Sequence, residues 1–179
     1  MKLATLTATI ALAAGAAFAN PMVGGAPMLE TRNIVENAVN SEDHTTLVAA
    51  VQAADLVDAL QGPGPMTVFA PVNAAFDALP AGTVDTLLMP ENKGMLQKVL
   101  TAHVVAGKLS GEDLMRRARN SADGFFHMET LSGDALSAQM RGSTLWIYDE
   151  SGNAGRVTIS DVNQSNGVIH VVDSVLVPR

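Results

Sequence analysis

Between Asn33 and Leu60 the apolar residues Ile34, Val35, Ala38, Val39, Leu47, Val48, Val51, Ala54, Leu56 and Leu60 recur at three- and four-residue intervals. That spacing predicts short amphipathic helices. Gln61-Gly62-Pro63-Gly64-Pro65 ends the pattern, and residues 66–70 form an apolar run that reads as a buried strand closed by Pro71. Asn73 stands at an N-cap position ahead of Ala74, Ala75, Phe76 and Leu79, and a further helical turn covers residues 84–88. Met95, Leu96, Val99, Leu100 and His103 share one helical face after Pro90, residues 104–107 read as extended, and Ser110 caps a helix running to Arg119. Beyond Gly124 the period drops to two. Strands are predicted at 127–131, 135–140, 144–148, 157–161 and 168–177, separated by Ser-Gly-Asp, Arg-Gly-Ser and Asn-Gly turns. A helical half followed by an antiparallel meander predicts an α+β domain, its helices packed on a largely antiparallel sheet or sandwich, in a single copy.

The N-terminus adds a destination. Met1-Lys2, an uncharged apolar stretch from Leu3 to Phe18 and an A-x-A motif at 17–19 predict a secretory signal peptide over residues 1–19. The expected domain organisation is that leader, a flexible lead-in at 20–30 with two prolines and two glycines, and one domain over 31–178. The mature protein is expected to be secreted or periplasmic, with no integral membrane segment after cleavage. The 179 residues carry a formal charge of −7, which Lys2 leaving with the signal makes more negative. Nucleic-acid binding is disfavoured, because it needs a basic face. The absence of cysteine excludes a disulfide framework, a thiolate nucleophile and cysteine-ligated metal.

Candidate chemistry is sparse. The motifs G-x-S-x-G and S-x-x-K are missing, the adjacent carboxylates Glu112-Asp113 and Asp149-Glu150 sit at a helix start and a turn, and no glycine-rich phosphate loop joins a strand to a helix. His103 and His170 are each a metal ligand or a core histidine by type, and their spacing favours the core. His44 and His127 are expected to be exposed and pH-sensitive. Nine methionines raise copper handling, but their separation favours gap-filling in the core. No cofactor, no metal and no catalytic residue is expected. Arg116, Arg117 and Arg119 form the one basic cluster, a solvated helix face or a contact for an acidic polysaccharide or other partner.

Three blocks then stand out together: TVFAPVNAAFDAL at 67–79, VLTAHVVAGKL at 99–109 and NGVIHVVDSVLVP at 166–178. In this order they resemble the two homology blocks of the fasciclin domain family and the Tyr-His segment between them, with Ala102 where the family has tyrosine. The resemblance implies a fasciclin-like fold, N-terminal helices around a mostly antiparallel β-wedge. It also implies a secreted, non-enzymatic cell-adhesion or protein- and matrix-binding module, whose partner is a cell-surface, envelope or matrix protein or polysaccharide. The motif residues Thr67, Phe69, Pro71, Asn73, Phe76, His103, His170 and Asp173 are expected to be structural. His103, Val104 and Val105, with Arg116 and Arg117, are the expected partner contacts. Two other readings are a periplasmic small-ligand carrier or enzyme with a pocket on the same fold, and an envelope component that oligomerises through an open sheet edge.

Overall fold

A computed structural model describes residues 20–178, so the expected signal peptide lies outside the described residues. The chain opens with a hairpin, β1 (Met22–Val23) and β2 (Ala26–Pro27), around Gly24-Gly25. Both glycines have positive φ, 54° and 75°, the requirement of a two-residue primed turn. A side chain at Gly24 would also press on Ser41 Oγ, 2.3 Å from the position of a Cβ. Val23 and Met28 are buried, 4% and 2% exposed, in the core below the helices. The expected flexible lead-in at 20–30 is therefore corrected. The Gly-Gly pair is a hairpin turn, and two apolar anchors fasten it to the domain.

Short helices follow: α1 (Ile34–Ala38), α2 (Thr45–Ala53) and α3 (Val57–Gln61). Asn33 and Glu36 close a capping box on α1, and buried Asn37 donates to the Leu29 carbonyl at 2.8 Å and to Gln164 Oε1. Strand β3 (Met66–Pro71) leads into α4 (Asn73–Asp77) and α5 (Thr83–Leu87). After these come α6 (Lys93–Thr101), β4 (Val104–Ala106) and α7 (Gly111–Asn120), the last capped by Ser110 Oγ accepting from Asp113 N.

The meander comprises β5 (Phe125–Glu129), β6 (Ala135–Arg141), β7 (Thr144–Tyr148), β8 (Ala154–Gln164) and β9 (Gly167–Val172). It is antiparallel throughout, as its turns predict. The last strand then runs parallel to β3, giving one seven-stranded sheet in the order β4-β3-β9-β8-β7-β6-β5. Its two outer strands meet, because Val105 bridges Thr130 and Leu131 N donates to the Val104 carbonyl at 2.8 Å. The sheet thus rolls into a nearly closed barrel rather than two stacked layers, its outer strands joined at the end of β5 by that bridge.

All six residues of β3 and all six of β9 are buried. These strands are apolar on both faces apart from the hydrogen-bonded Thr67 and His170, because both of their faces are covered. Val68, Ala70, Ile169 and Val171 meet α1 to α3 on the outside, whereas Phe69 and Val172 join Leu136, Ile147, Leu114 and Leu176 inside the roll. Close approach here depends on Gly167, where a Cβ would lie 2.1 Å from the Met66 carbonyl oxygen. Phe76 packs with Ala75, Val99 and Val175 in a separate cluster beneath α4.

Candidate functional site

The motif residues act on the backbone around them. Thr67 Oγ1 donates to the Gly107 carbonyl at 2.7 Å and accepts from Leu109 N at 2.9 Å. His170 Nε2 donates to the Leu109 carbonyl at 2.8 Å, its Nδ1 faces Asp161 N at 3.3 Å, and its ring stacks on Phe69 with centroids 5.7 Å apart. Together they hold the loop between β4 and α7. Asp173 accepts from Arg156 N at 2.8 Å and pairs with its guanidinium at 3.2 Å, tying the end of β9 to β8. Pro71 ends β3.

Asn73 differs from its expected role. It is the first residue of α4, not its cap, and makes no hydrogen bond to that helix's N-terminus. Its Oδ1 instead accepts from Thr46 N at 3.0 Å and Thr45 Oγ1 at 3.2 Å, while Nδ2 donates to the Glu42 carbonyl at 2.8 Å. It caps α2 from a distance, because the fold brings the orphan amides of that helix to it.

The expected partner contacts separate into two groups. His103, Val104 and Val105 are 3%, 3% and 5% exposed. They offer no side-chain surface to a partner, which corrects their assignment. His103 Nδ1 donates to the Val99 carbonyl at 2.8 Å and Nε2 accepts from Leu176 N at 2.9 Å. The ring joins α6 to the C-terminal segment and must be neutral to do so. Burial lowers its pKa to about 4, against smaller opposing effects of the Val99 carbonyl and Asp149. Burial likewise lowers His170 and His44, and His44, at 3% exposed, is not the surface titrating group expected. Arg116 and Arg117 are exposed, Arg116 paired with Asp113 and Arg117 lying over the Phe126 ring at 5.0 Å.

The surface with the strongest recognition chemistry lies on the outer face of β5 to β8. Strand alternation turns Met128, Leu136, Ala138, Leu145 and Ile147 inward. The same alternation turns Phe125, His127, Gln139, Arg141, Trp146, Tyr148 and Arg156 outward. The chain's one tryptophan and one tyrosine are both here. The Arg141 guanidinium lies 5.1 Å from each of the Trp146 and Tyr148 rings. Phe125 meets Tyr148 edge-on at 5.5 Å, and the Tyr148 hydroxyl donates to Gln139 Oε1 at 3.1 Å. These contacts hold the rings in place, so little side-chain freedom is left to lose on binding.

At its border Asp123 Oδ2, His127 and Ser137 Oγ form a row, with contacts of 3.0 Å at Nε2 and 2.8 Å at Nδ1. Ser121, His127 and Phe125 N hold the Asp123 carboxyl well below the usual carboxylate range. The residue types match a nucleophile triad, but the Asp123 and His127 side chains are 54% and 61% exposed. Water competes for both, and the row supplies polar contacts around the aromatic patch. Among the described residues no cluster of three His, Asp or Glu side chains could hold a metal ion, and no helix is long and apolar enough to cross a membrane.

Comparison with known proteins agrees with this architecture. The fasciclin domain model matches residues 42–178, and the chain belongs to that family. Protein sll1483 of Synechocystis sp. is 47% identical over 145 residues, covering 81% of this chain and 73% of that protein. Immunogenic protein MPB70 of Mycobacterium bovis is 36% identical over 146 residues, covering 79% and 66%. The solved FAS1 domain pair of the insect cell adhesion molecule Fasciclin I superposes with a TM-score of 0.72 at 18% identity, over 81% of this chain and 50% of the insect chain. That likeness shows the fold.

Proposed function

We propose that this chain is a secreted or periplasmic binding module of the adhesion type, without catalytic activity, that meets its partner through the aromatic outer face of β5 to β8. The partner is a cell-surface, envelope or matrix protein or polysaccharide. The observation that carries this reading is the outward-facing set Phe125, Arg141, Trp146 and Tyr148, in which the three rings are half-buried, the arginine is exposed, and all are pre-ordered by mutual contact. Trp, Tyr and Arg are the residues on which binding energy concentrates at interfaces. Family membership and the name of the insect relative, a cell adhesion molecule, support it.

The test is sedimentation of labelled protein with intact cells, envelope fractions and extracellular polysaccharide, with heat-denatured protein as control. Saturable binding is expected, weakened at least tenfold in Trp146→Ala, as a residue at the centre of an interface requires. Absence of binding to every fraction overturns the reading.

A further inference from the structure

Between the helical layer and the sheet lies a cavity of about 120 Å³, distant in the fold from the aromatic face. Ile34 of α1, Val48 and Val51 of α2, Leu60 of α3, Val68 of β3 and Ile169 of β9 make up much of its wall. Val48, partly exposed, stands at the solvent side, so the cavity has an apolar approach between the short helices. An aliphatic cavity of roughly 150 Å³ stays dry and admits benzene. A volume of this order therefore suits a compact molecule no larger than about one six-membered ring.

The wall also defines charge. Among the described residues no Asp, Glu, Lys or Arg lines the cavity, and its titratable side chains are His44 and His103. Both nitrogens of His103 are bonded, to Val99 and Leu176. His44 Nδ1 contacts Ser41 Oγ at 2.9 Å, while its buried Nε2 has no hydrogen-bond partner among the described residues. Burial keeps both rings neutral at pH 7. A carboxylate or ammonium entering here would lose its hydration with no opposite charge to replace it.

We propose that this cavity is a binding site for a small, uncharged, compact hydrophobic molecule of single-ring size. The proposal goes beyond surface recognition of a partner and gives the domain a second, internal ligand. Toluene is the probe and benzoate its charged counterpart, with the methyl NMR signals of the valine, leucine and isoleucine residues as readout.

Toluene should shift the methyls of Val48, Val51, Val68 and Ile169 saturably, and benzoate at equal concentration should leave them unmoved. Val48→Phe, which fills the cavity from its half-exposed rim, should weaken toluene binding at least tenfold while retaining a native spectrum. Ala38→Leu, a second partly exposed lining position, serves if the first variant loses its fold. Trp146→Ala should bind toluene as the parent does, which separates this site from the aromatic face. Shifts that do not saturate, shifts centred on Trp146, or equal affinity in a folded filled variant overturn the proposal.

Discussion

Replacing His103 with glutamine while lowering the pH isolates what the buried imidazole contributes. In the fold its nitrogens are committed to Val99 and Leu176, and its pKa is about 4; in the unfolded chain it returns to the ordinary 6.5. Between those values the unfolded chain binds a proton that the native protein refuses, so stability falls as the pH is lowered. The contribution is complete above pH 6.5 and lost on the way to pH 4. From the two values, linkage gives a loss of about 2 kcal/mol by pH 5 and about 3 kcal/mol by pH 4 from this group. His44 and His170 are lowered by burial too and add to the same trend, so the informative quantity is the difference between parent and variant. Urea unfolding at pH 7 and pH 5 should show the parent losing about 2 kcal/mol more than His103→Gln across that interval. Equal losses in both proteins, or an imidazole resonance of His103 titrating near 6.5, would refute the reasoning.

Other substitutions test the supports of the fold. Phe76→Ala should cost about 3–5 kcal/mol, the range for a buried phenylalanine, and an unchanged melting temperature removes Phe76 from the core. Gly167→Ala should destabilise by about 3 kcal/mol or more in urea unfolding, because a Cβ meets the Met66 carbonyl in a fully paired strand; a cost below about 1 kcal/mol means that β3 and β9 can part cheaply. Asn73→Ala should cost about 1–2 kcal/mol and speed amide exchange at Thr46 rather than at the start of α4, and the reverse pattern restores the local cap.

The period-two pattern at 144–148 is read correctly because Leu145 and Ile147 point inward and Trp146 and Tyr148 outward. The same alternation contains the aromatic face. Its signal is visible in the chain once Trp146 and Tyr148 are placed opposite their aliphatic neighbours. Strand β8 extends beyond its expected 157–161 in both directions because its register shifts twice and Asp161 turns to φ 59°, which blurs the alternation. Strand β9 stops at Val172, before the expected 177, because Asp173 turns to Arg156 while Val175 and Leu176 fill the core without joining the ladder.

Local preference identifies Asn73 as a capping residue but does not name the helix. The amide it satisfies belongs to Thr46, 27 positions away. His103 is legible as important through its family block, yet its burial follows from the C-terminal segment that returns to it at Leu176. The cavity has no signature of its own, since a residue such as Val51 or Ile169 has the same pattern whether it faces another side chain or open space.

Because Trp146 is the chain's one tryptophan and lies on the aromatic face, its emission reports directly on occupancy of that surface. The envelope or polysaccharide fraction that sediments with the protein would be titrated against it while bound protein is measured in parallel. A saturable change in emission that follows the bound fraction is the predicted result. Binding that saturates while the emission stays constant would place the contact elsewhere and contradict the account.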